Sequence, residues 1–160
     1  MIFVALGTQR FQLNRLLAEI DELIETKGIT QEVIAQIGVS DYIPKHYQYY
    51  RYIDKKQFDD FISQATVVIT HSGVGTIISA LKARKPVVIY PRLQKYNEHV
   101  DDHQLDIAKA FEKKHYVICR YDDVPLSQVM KQCRRYPFAD YVSNTNRMIG
   151  IIQDFLKQEA

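Results

Sequence analysis

Residues 66–81 read TVVITHSGVGTIISAL, and this stretch decides the fold of the chain. An apolar run is followed by a turn that contains Gly73 and Gly75, and the turn leads into an amphipathic run from Ile77. A buried strand, a glycine-bearing turn and a helix start form an anion site in α/β folds, because the first N–H groups of a helix are unpaired and carry partial positive charge. Glycine also lets the backbone approach a ligand closely. The stretch therefore predicts a diphosphate site.

The remainder of the chain continues this alternation of strand and helix patterns. Predicted strands cover residues 2–6, 32–37, 47–53, 66–70, 86–90 and 116–119, and predicted helices cover residues 12–27, a segment from the Asp54–Gln57 capping box, a segment from the glycine turn to about 84, and residues 100–114. Residues 122–139 are weakly patterned, with Pro125 and Pro137 as breakers. An apolar stripe predicts a terminal helix over residues 140–158 that docks on the domain or on a partner.

Alternating strands and helices imply right-handed βαβ units and one sheet. The predicted fold class is α/β, with a Rossmann-like parallel sheet flanked by helices. At 160 residues, the chain is expected to form a single domain over residues 1–160.

Composition and charge narrow the range of functions. The formal net charge is only +2 and the basic residues are spread along the chain, so no nucleic-acid partner is expected. Cys119 and Cys133 are too few for a disulfide framework and indicate a reducing compartment. The apolar start of the chain lacks the basic region of a signal peptide, and no stretch has the ~20 apolar residues of a membrane span. A cytoplasmic protein is therefore expected.

Four predicted loops follow strands and should meet at one edge of the sheet. Two of them begin at Gly7-Thr8 and at Ile53-Asp54, and the other two cover residues 71–76 and residues 91–104. Ligands of open parallel sheets bind at the carboxyl ends of the strands, where these loops would converge.

The glycine turn allows two interpretations. Gly73 and Gly75 are compatible with a tight turn that binds nothing, but His71, Ser72 and Thr76 add side chains that can donate to phosphate oxygens. The turn lacks the lysine and the spacing of a P-loop, and it is not a G-x-G-x-x-G dinucleotide fingerprint. The diphosphate interpretation is favoured.

A second motif, EHVDDHQ at residues 98–104, places Glu98, Asp102, His103 and Gln104 near a predicted helix start. Acidic residues favour first helical turns without any ligand. A metal site would need a third clear ligand, so no metal is expected. Carboxylate, imidazole and amide groups also bind vicinal hydroxyls, so the motif favours sugar recognition.

Three stretches, in this order, resemble the C-terminal, donor-binding half of GT-B glycosyltransferases of the family 28 type. They are IFVALGTQRF (2–11), ITHSGVGTIISALKARKPVVIYPRL (69–93) and NEHVDDHQLDIAKAF (97–111). The chain is most similar to small stand-alone subunits of two-chain transferases, such as the catalytic subunit of the dolichol-pathway N-acetylglucosaminyltransferase and bacterial subunits of capsule and exopolysaccharide synthesis. One position departs from the family pattern: Ser72 stands where the family usually has glycine.

The resemblance implies a UDP-sugar as the donor substrate, no cofactor and no metal ion. The residues it assigns to UDP-sugar binding are Gly7, Thr8, Ile53, His71, Ser72, Gly73, Val74, Gly75, Thr76, Glu98, Asp102, His103 and Gln104. Gly7 and Thr8 would face the phosphates or the acceptor, the backbone at Ile53 the uracil, and residues 72–76 the diphosphate. Glu98 would lie near the ribose, and residues 102–104 near the sugar.

A complete GT-B enzyme needs two such domains, so the resemblance implies a partner chain. The partner would be a membrane-anchored subunit that binds a lipid-linked saccharide acceptor, and would hold this chain at the inner face of the cell membrane. The reaction would be inverting. No catalytic residue is assigned in this chain, because the general base can belong to the partner. Two alternatives differ in kind: a non-catalytic accessory subunit, and an unrelated nucleotide-sugar enzyme, which would need an NAD fingerprint after the first strand.

Overall fold

The computed structural model describes residues 1–143 of the chain. Six strands form one parallel sheet there: β1 (Ile2–Ala5), β2 (Val33–Gln36), β3 (Gln48–Tyr50), β4 (Val67–Thr70), β5 (Val87–Ile89) and β6 (Ile118–Cys119). The strand order is β3-β2-β1-β4-β5-β6, and every neighbouring pair is parallel. The predicted fold class is confirmed. Each strand is shorter than the apolar run that predicted it.

Five α-helices connect or follow these strands: α1 (Asn14–Glu25), α2 (Lys55–Gln64), α3 (Val74–Lys82), α4 (His103–Glu112) and α5 (Leu126–Cys133), with a short 3-10 turn at Gln94–Tyr96. The predicted capping box is confirmed at α2. The Asp54 carboxylate accepts from the Gln57 N–H at 2.8 Å, and the Gln57 side chain reaches back to the Asp54 N–H.

Helix α5 lies within residues 122–139, the stretch described above as weakly patterned, and it corrects the prediction that Pro125 is a breaker. Pro125 is the residue before the first helical turn and not a breaker, because its φ of −68° suits a helix start. Leu126, Val129 and Cys133 recur at helical spacing and are buried. An eight-residue helix with three core contacts is too short for a clear periodic signal, so tertiary packing stabilises it.

The helices cover both faces of the sheet. On one face α1 and α5 pack around Leu16, Leu17 and Val129. On the other face α2, α3 and α4 pack around Phe3, Ile77 and Ala108. Burial on both faces explains why the strands read as continuous apolar runs rather than alternating ones.

The strand order reverses direction between β1 and β4. From β1 the chain proceeds outward to β2 and β3, then returns to β4 and continues to β5 and β6. The loops after β1 and β4 therefore leave in opposite directions, which opens a crevice at the carboxyl ends of these strands.

The predicted terminal helix over residues 140–158 lies largely outside the described residues, and residues 140–143 are irregular. Within residues 1–143, none of the helices has the length and apolar character needed to span a bilayer.

Candidate functional site

The crevice lies between the loops that follow β1 and β4. The two strands are in register at their ends, where Ala5 is paired with Thr70. The Thr70 hydroxyl donates to the Ala5 carbonyl oxygen at 2.7 Å. The chain leaves the sheet directly after this pair, towards Gly7 on one side and His71 on the other, so these distant residues lie side by side.

The imidazole of His71 fills the space between two glycines. A Cβ atom on Gly73 would lie 2.4 Å from His71 Nε2, and one on Gly7 would lie 2.8 Å from His71 Cε1. Gly7 also has a φ of 72°, a left-handed conformation that other residues rarely adopt. On its other side, a Cβ on Gly38 would lie 2.9 Å from the Gly7 carbonyl oxygen. Packing alone therefore requires glycine at these strand ends.

His71 is buried and neutral. Its Nδ1 lies 3.4 Å from the Ala5 carbonyl oxygen, which only accepts hydrogen bonds, so Nδ1 carries the proton and Nε2 a lone pair. Burial, reinforced by the positive charge of Arg92, lowers the pKa of His71 from 6.5 to about 3. Nε2 of this tautomer accepts and does not donate, so the candidate phosphate donors at the turn are backbone N–H groups and hydroxyls.

The start of α3 supplies these donors. Gly73 precedes the helix without any side-chain cap, and the first helical hydrogen bond runs from Ile77 N–H to the Gly73 carbonyl at 3.1 Å. The N–H groups of residues 74–76 come before that bond. The buried Ser72 hydroxyl has no hydrogen-bond partner among residues 1–143, and a Cβ on Gly75 would meet no atom within 4 Å. Unpaired donors and open space thus meet where the sequence predicts the diphosphate.

The residues predicted to bind the sugar surround the start of α4. Asp102 and His103 are exposed, and the Asp102 carboxylate accepts from the Gln94 N–H at 2.9 Å. Gln104 is buried, and its Oε1 accepts from the Arg92 N–H at 3.1 Å. The Arg92 side chain in turn donates to the Leu6 carbonyl at 2.9 Å, which ties Gln104 to the loop after β1.

Glu98 is fully buried and its carboxylate is already engaged. It forms a two-point ion pair with Arg15, with Nε–Oε1 and Nη2–Oε2 distances of 2.8 Å. Glu98 Oε2 also accepts from the Leu93 N–H at 3.0 Å. Bidentate, charge-assisted pairs are strong and geometrically specific. Glu98 therefore holds the loop after β5 against α1, and the ribose contact expected of it stays a prediction.

Two predicted residues lie at the periphery of the crevice. Thr8 is exposed in the loop after β1. Ile53 is half-buried after β3, which is two strands away from β1 and three from β4. A ligand that reaches both Ile53 and the start of α3 must lie across the carboxyl ends of several strands, as an extended nucleotide can.

Two arginines at this edge were not predicted from the sequence. Arg92 is buried in the loop after β5, and Arg15 lies in the first turn of α1 with its guanidinium 4.1 Å from the centre of the Tyr96 ring. Arg92 lies three residues after the end of β5, in the loop over residues 91–104 that the sequence already placed at the ligand edge. Its contacts are to residues far away in the sequence, however, and no local pattern reveals them.

The opposite, amino-terminal edge of the sheet contains a groove with a volume of about 610 Å³. Leu23, Ile29, Val67 and Met130 contribute to its lining. The residues after α1 and the last turn of α5 also line it, and helix C-termini carry partial negative charge. Lys131 and Arg134 also line this groove, which lies at the edge opposite to the predicted diphosphate site.

The geometry of the crevice agrees with a comparison to protein families. Residues 1–144 match the model of the glycosyltransferase family 28 C-terminal domain. The chain belongs to this family. The family 28 resemblance of the three stretches quoted above is therefore confirmed.

Relatives of this family 28 domain include two proteins described as UDP-N-acetylglucosamine transferase subunit ALG13. The human protein is 32% identical over 177 residues of alignment, which cover 99% of this chain and 15% of the relative. The mouse protein is 29% identical over 136 residues, which cover 77% of this chain and 11% of the relative. The chain thus spans only a small part of the length of these relatives.

Solved structures support the fold. The glycotransferase of kitacinnamycin superposes with a TM-score of 0.61 at 16% identity, covering 87% of this chain and 35% of that structure. An NMR structure of ALG13 superposes with a TM-score of 0.58 at 18% identity, covering 94% of this chain and 93% of that structure. At these identities the likeness concerns the fold alone, and it confirms the sheet as the C-terminal half of a GT-B fold.

Proposed function

We propose that this chain is the donor-binding, catalytic subunit of a two-chain inverting glycosyltransferase that moves a sugar from a UDP-sugar to a lipid-linked acceptor. The observation that carries the proposal is the start of α3. Uncapped N–H groups, the unpartnered Ser72 hydroxyl and the open space at Gly75 meet there, next to the crevice. The human and mouse relatives are described as subunits of a UDP-N-acetylglucosamine transferase, so this sugar nucleotide is the first donor to test.

The proposed chemistry uses the charge that develops on the leaving UDP. As the bond to the sugar breaks, negative charge grows on the diphosphate. The N–H groups of residues 74–76 and the dipole of α3 would stabilise this charge without reorganisation. No metal ion and no cofactor take part in the proposal. The base that removes the proton from the acceptor hydroxyl is assigned to the partner chain.

A partner is supported by the apolar side chains that surround the crevice. Eight large hydrophobic side chains are exposed among residues 1–143, and six of them follow the carboxyl ends of strands before the next strand begins. These six are Val39, Ile43, Tyr52, Val74, Tyr96 and Val100. We assign this rim to a membrane-anchored, acceptor-binding subunit, which would close the crevice against water and place the chain at the cytoplasmic face of the membrane. The proposed setting, bacterial capsule or exopolysaccharide synthesis, rests on the family resemblance alone.

A non-catalytic accessory subunit is the second candidate, and Ser72 favours it. Its side chain is buried beside the proposed diphosphate position, where the family usually has glycine. If that side chain occupies room that the phosphates need, the chain binds its partner but no donor.

Calorimetric titration separates the two candidates. The wild-type chain is titrated with UDP, UDP-N-acetylglucosamine, UDP-glucose, UDP-galactose and UDP-glucuronate in EDTA, with and without the partner. Binding of one UDP-sugar supports the donor-binding role, and binding only with the partner indicates a composite site. An absence of binding in both cases contradicts the proposal and favours the accessory role.

A pair of variants at one position locates the site. Gly75→Asp places an anion in the first turn of α3 and should abolish UDP binding by repulsion. Because nothing lies within 4 Å of a Cβ at this position, Gly75→Ala should fold, and it should lose less UDP affinity than the aspartate variant because it adds a methyl group and no charge. Normal UDP binding by the aspartate variant would show that the site lies elsewhere.

A further inference from the structure

Arg92 is a buried cation that connects the loop after β5 to the loop after β1. It is 1% exposed and lies in the loop after β5. Its guanidinium passes to the loop after β1, where Nη2 donates to the carbonyl oxygens of Leu6 at 2.9 Å and Phe11 at 2.8 Å, and Nε donates to that of Gln12 at 3.3 Å. Its backbone N–H donates to Gln104. One residue thus links the loop after β1, the loop after β5 and the start of α4.

Arg92 forms no ion pair with a carboxylate of residues 1–143. Glu98 is the carboxylate whose charge acts most on it, but both Glu98 oxygens are engaged by Arg15. Arg92 Nη1 is buried and has no hydrogen-bond partner in the described chain. Burial lowers the pKa of Arg92 to about 10, so the group stays protonated at neutral pH. A buried charge that forms no ion pair destabilises a fold unless hydrogen bonds, a ligand or another group compensates it.

We infer that Arg92 is a positioning residue of the donor site whose unpaired charge is balanced by the diphosphate of a bound nucleoside diphosphate. The inference rests on the proposed function. Arg92 fixes the loop after β1 through three carbonyl oxygens, and it places a positive charge below the crevice before the ligand arrives. The diphosphate then supplies the counter-charge that the protein lacks.

Arg92 also determines what Gln104 can offer a ligand. Because a backbone N–H only donates, Gln104 must turn its Oε1 towards Arg92. The NH₂ group of Gln104 can then only donate, while Oε1 keeps one lone pair. Gln104 would therefore recognise an oxygen acceptor on the donor sugar.

Two substitutions separate the charge of Arg92 from its geometry. Arg92→Lys keeps a positive charge but loses the planar fork to three carbonyls, whereas Arg92→Gln removes the charge and keeps a donor. Both variants and the wild type are first compared by thermal unfolding, and then titrated with uridine and with UDP. The ratio of UDP affinity to uridine affinity isolates the diphosphate, because uridine carries no charge.

In the glutamine variant, we expect the ratio of UDP affinity to uridine affinity to fall by about tenfold or more. In the lysine variant, we expect this ratio to stay close to that of the wild type. A purely structural role would weaken uridine and UDP equally in both variants, and that result would overturn the counter-charge role. An unchanged ratio in the glutamine variant would overturn it as well. If the glutamine variant does not fold, the lysine variant provides the test. Because lysine keeps the charge, a lower ratio of UDP affinity to uridine affinity in the folded lysine variant would overturn the counter-charge role.

The loop contacts are tested without any ligand. The Leu13 N–H donates to Ser40 Oγ at 3.1 Å directly after the carbonyl groups that Arg92 holds. In Arg92→Gln its hydrogen exchange should become faster, while that of the Gln57 amide at the start of α2 should not change. Unchanged exchange at Leu13 overturns the positioning role. A different result is that the wild-type chain binds no nucleotide, with or without the partner, while exchange at Leu13 is faster in the variant. That result would refute the proposed function and the counter-charge role, and it would confirm the loop contacts.

Discussion

At the carboxyl-terminal edge of the sheet the chain buries polar groups, whereas at the amino-terminal edge it leaves its cations in water. Nine polar or charged residues are buried among residues 1–143, and eight of them lie at or beyond the carboxyl end of a strand. The ninth, Asp21, lies on α1. Burying polar groups costs free energy unless each finds a partner, so this edge gives up stability that a purely structural edge would keep.

The amino-terminal edge collects cations from three helix ends. They are Lys82, Arg84, Lys85, Lys109, Lys113, Lys114, Lys131, Arg134 and Arg135. None of them forms an ion pair with a carboxylate of residues 1–143. Cations at helix C-termini are favoured by the partial negative charge there, so these side chains need no further partner to explain them. The contrast supports the choice of the carboxyl-terminal edge as the candidate site.

Among the changes that test this contrast between the two edges, Gly7→Ala is expected to have the largest effect. The new Cβ would contact His71 at 2.8 Å, and the residue would keep a left-handed φ of 72°. Overpacking and the unfavourable conformation together should lower the free energy of unfolding by about 3 kcal/mol. Urea unfolding measures this loss. The matched control is Gly75→Ala, which should change the free energy of unfolding by less than about 1 kcal/mol. Equal stability of Gly7→Ala and wild type would show that the glycine contact with His71 is not tight.

A smaller effect is expected from pH. The pKa of His71 is about 3 in the folded state and near 6.5 when unfolded. Below pH 6.5 the unfolded chain therefore binds a proton that the folded chain refuses, and stability falls as the pH falls from about 6.5 towards 3. At pH 5 the loss should be about 2 kcal/mol relative to pH 7.5.

His71→Gln should lack this part of the pH dependence. The difference in unfolding free energy between wild type and variant, measured by urea unfolding at each pH, isolates His71 from the other titrating groups. A difference that stays constant from pH 7.5 to pH 5 would mean that the imidazole takes up a proton in the folded state.

The next effect concerns the sugar side of the crevice. Gln104→Ala should weaken the binding of the UDP-sugar about tenfold by removing one hydrogen bond, while UDP binding changes little. Calorimetry with both ligands measures the difference, and Lys109→Ala on the exposed side of α4 is the control. Equal losses for UDP and UDP-sugar would refute the assignment of Gln104 to the sugar.

The smallest effect is expected at the amino-terminal edge. Lys131→Gln and Arg134→Gln each remove a cation near the end of α5, and each should change the free energy of unfolding by less than about 1 kcal/mol. UDP binding should be unaffected in both variants. A clear loss of UDP binding would show that the charge of this edge contributes to the donor site.

Sequence patterns predicted the parts of the site that depend on local structure. The strand, turn and helix of residues 66–82 are contiguous, so apolar runs and glycine spacing suffice to predict them. The capping box at α2 is local in the same sense and is confirmed. Helix α5 escaped prediction because it is short and begins after a proline.

The contacts that build the crevice could not be predicted in this way. Glu98 meets Arg15, Gln104 meets the Arg92 backbone, and Arg92 meets Leu6. The two ion-pair partners and the arginine with its carbonyl are more than eighty residues apart in the chain. Such pairs follow from strand order, and a single sequence contains no record of which strands are neighbours.

The sequence by itself determined the class of fold and the family, and it predicted the position of an anion site along the chain, because each depends on periodicity and on motifs of adjacent residues. Only the tertiary structure decided that His71 is a neutral ring between Gly7 and Gly73, that Glu98 is an internal ion-pair partner, and that Arg92 is a buried charge that forms no ion pair within residues 1–143. These properties depend on burial and on distances across the sheet. They are set when β1 and β4 come together at the switch point.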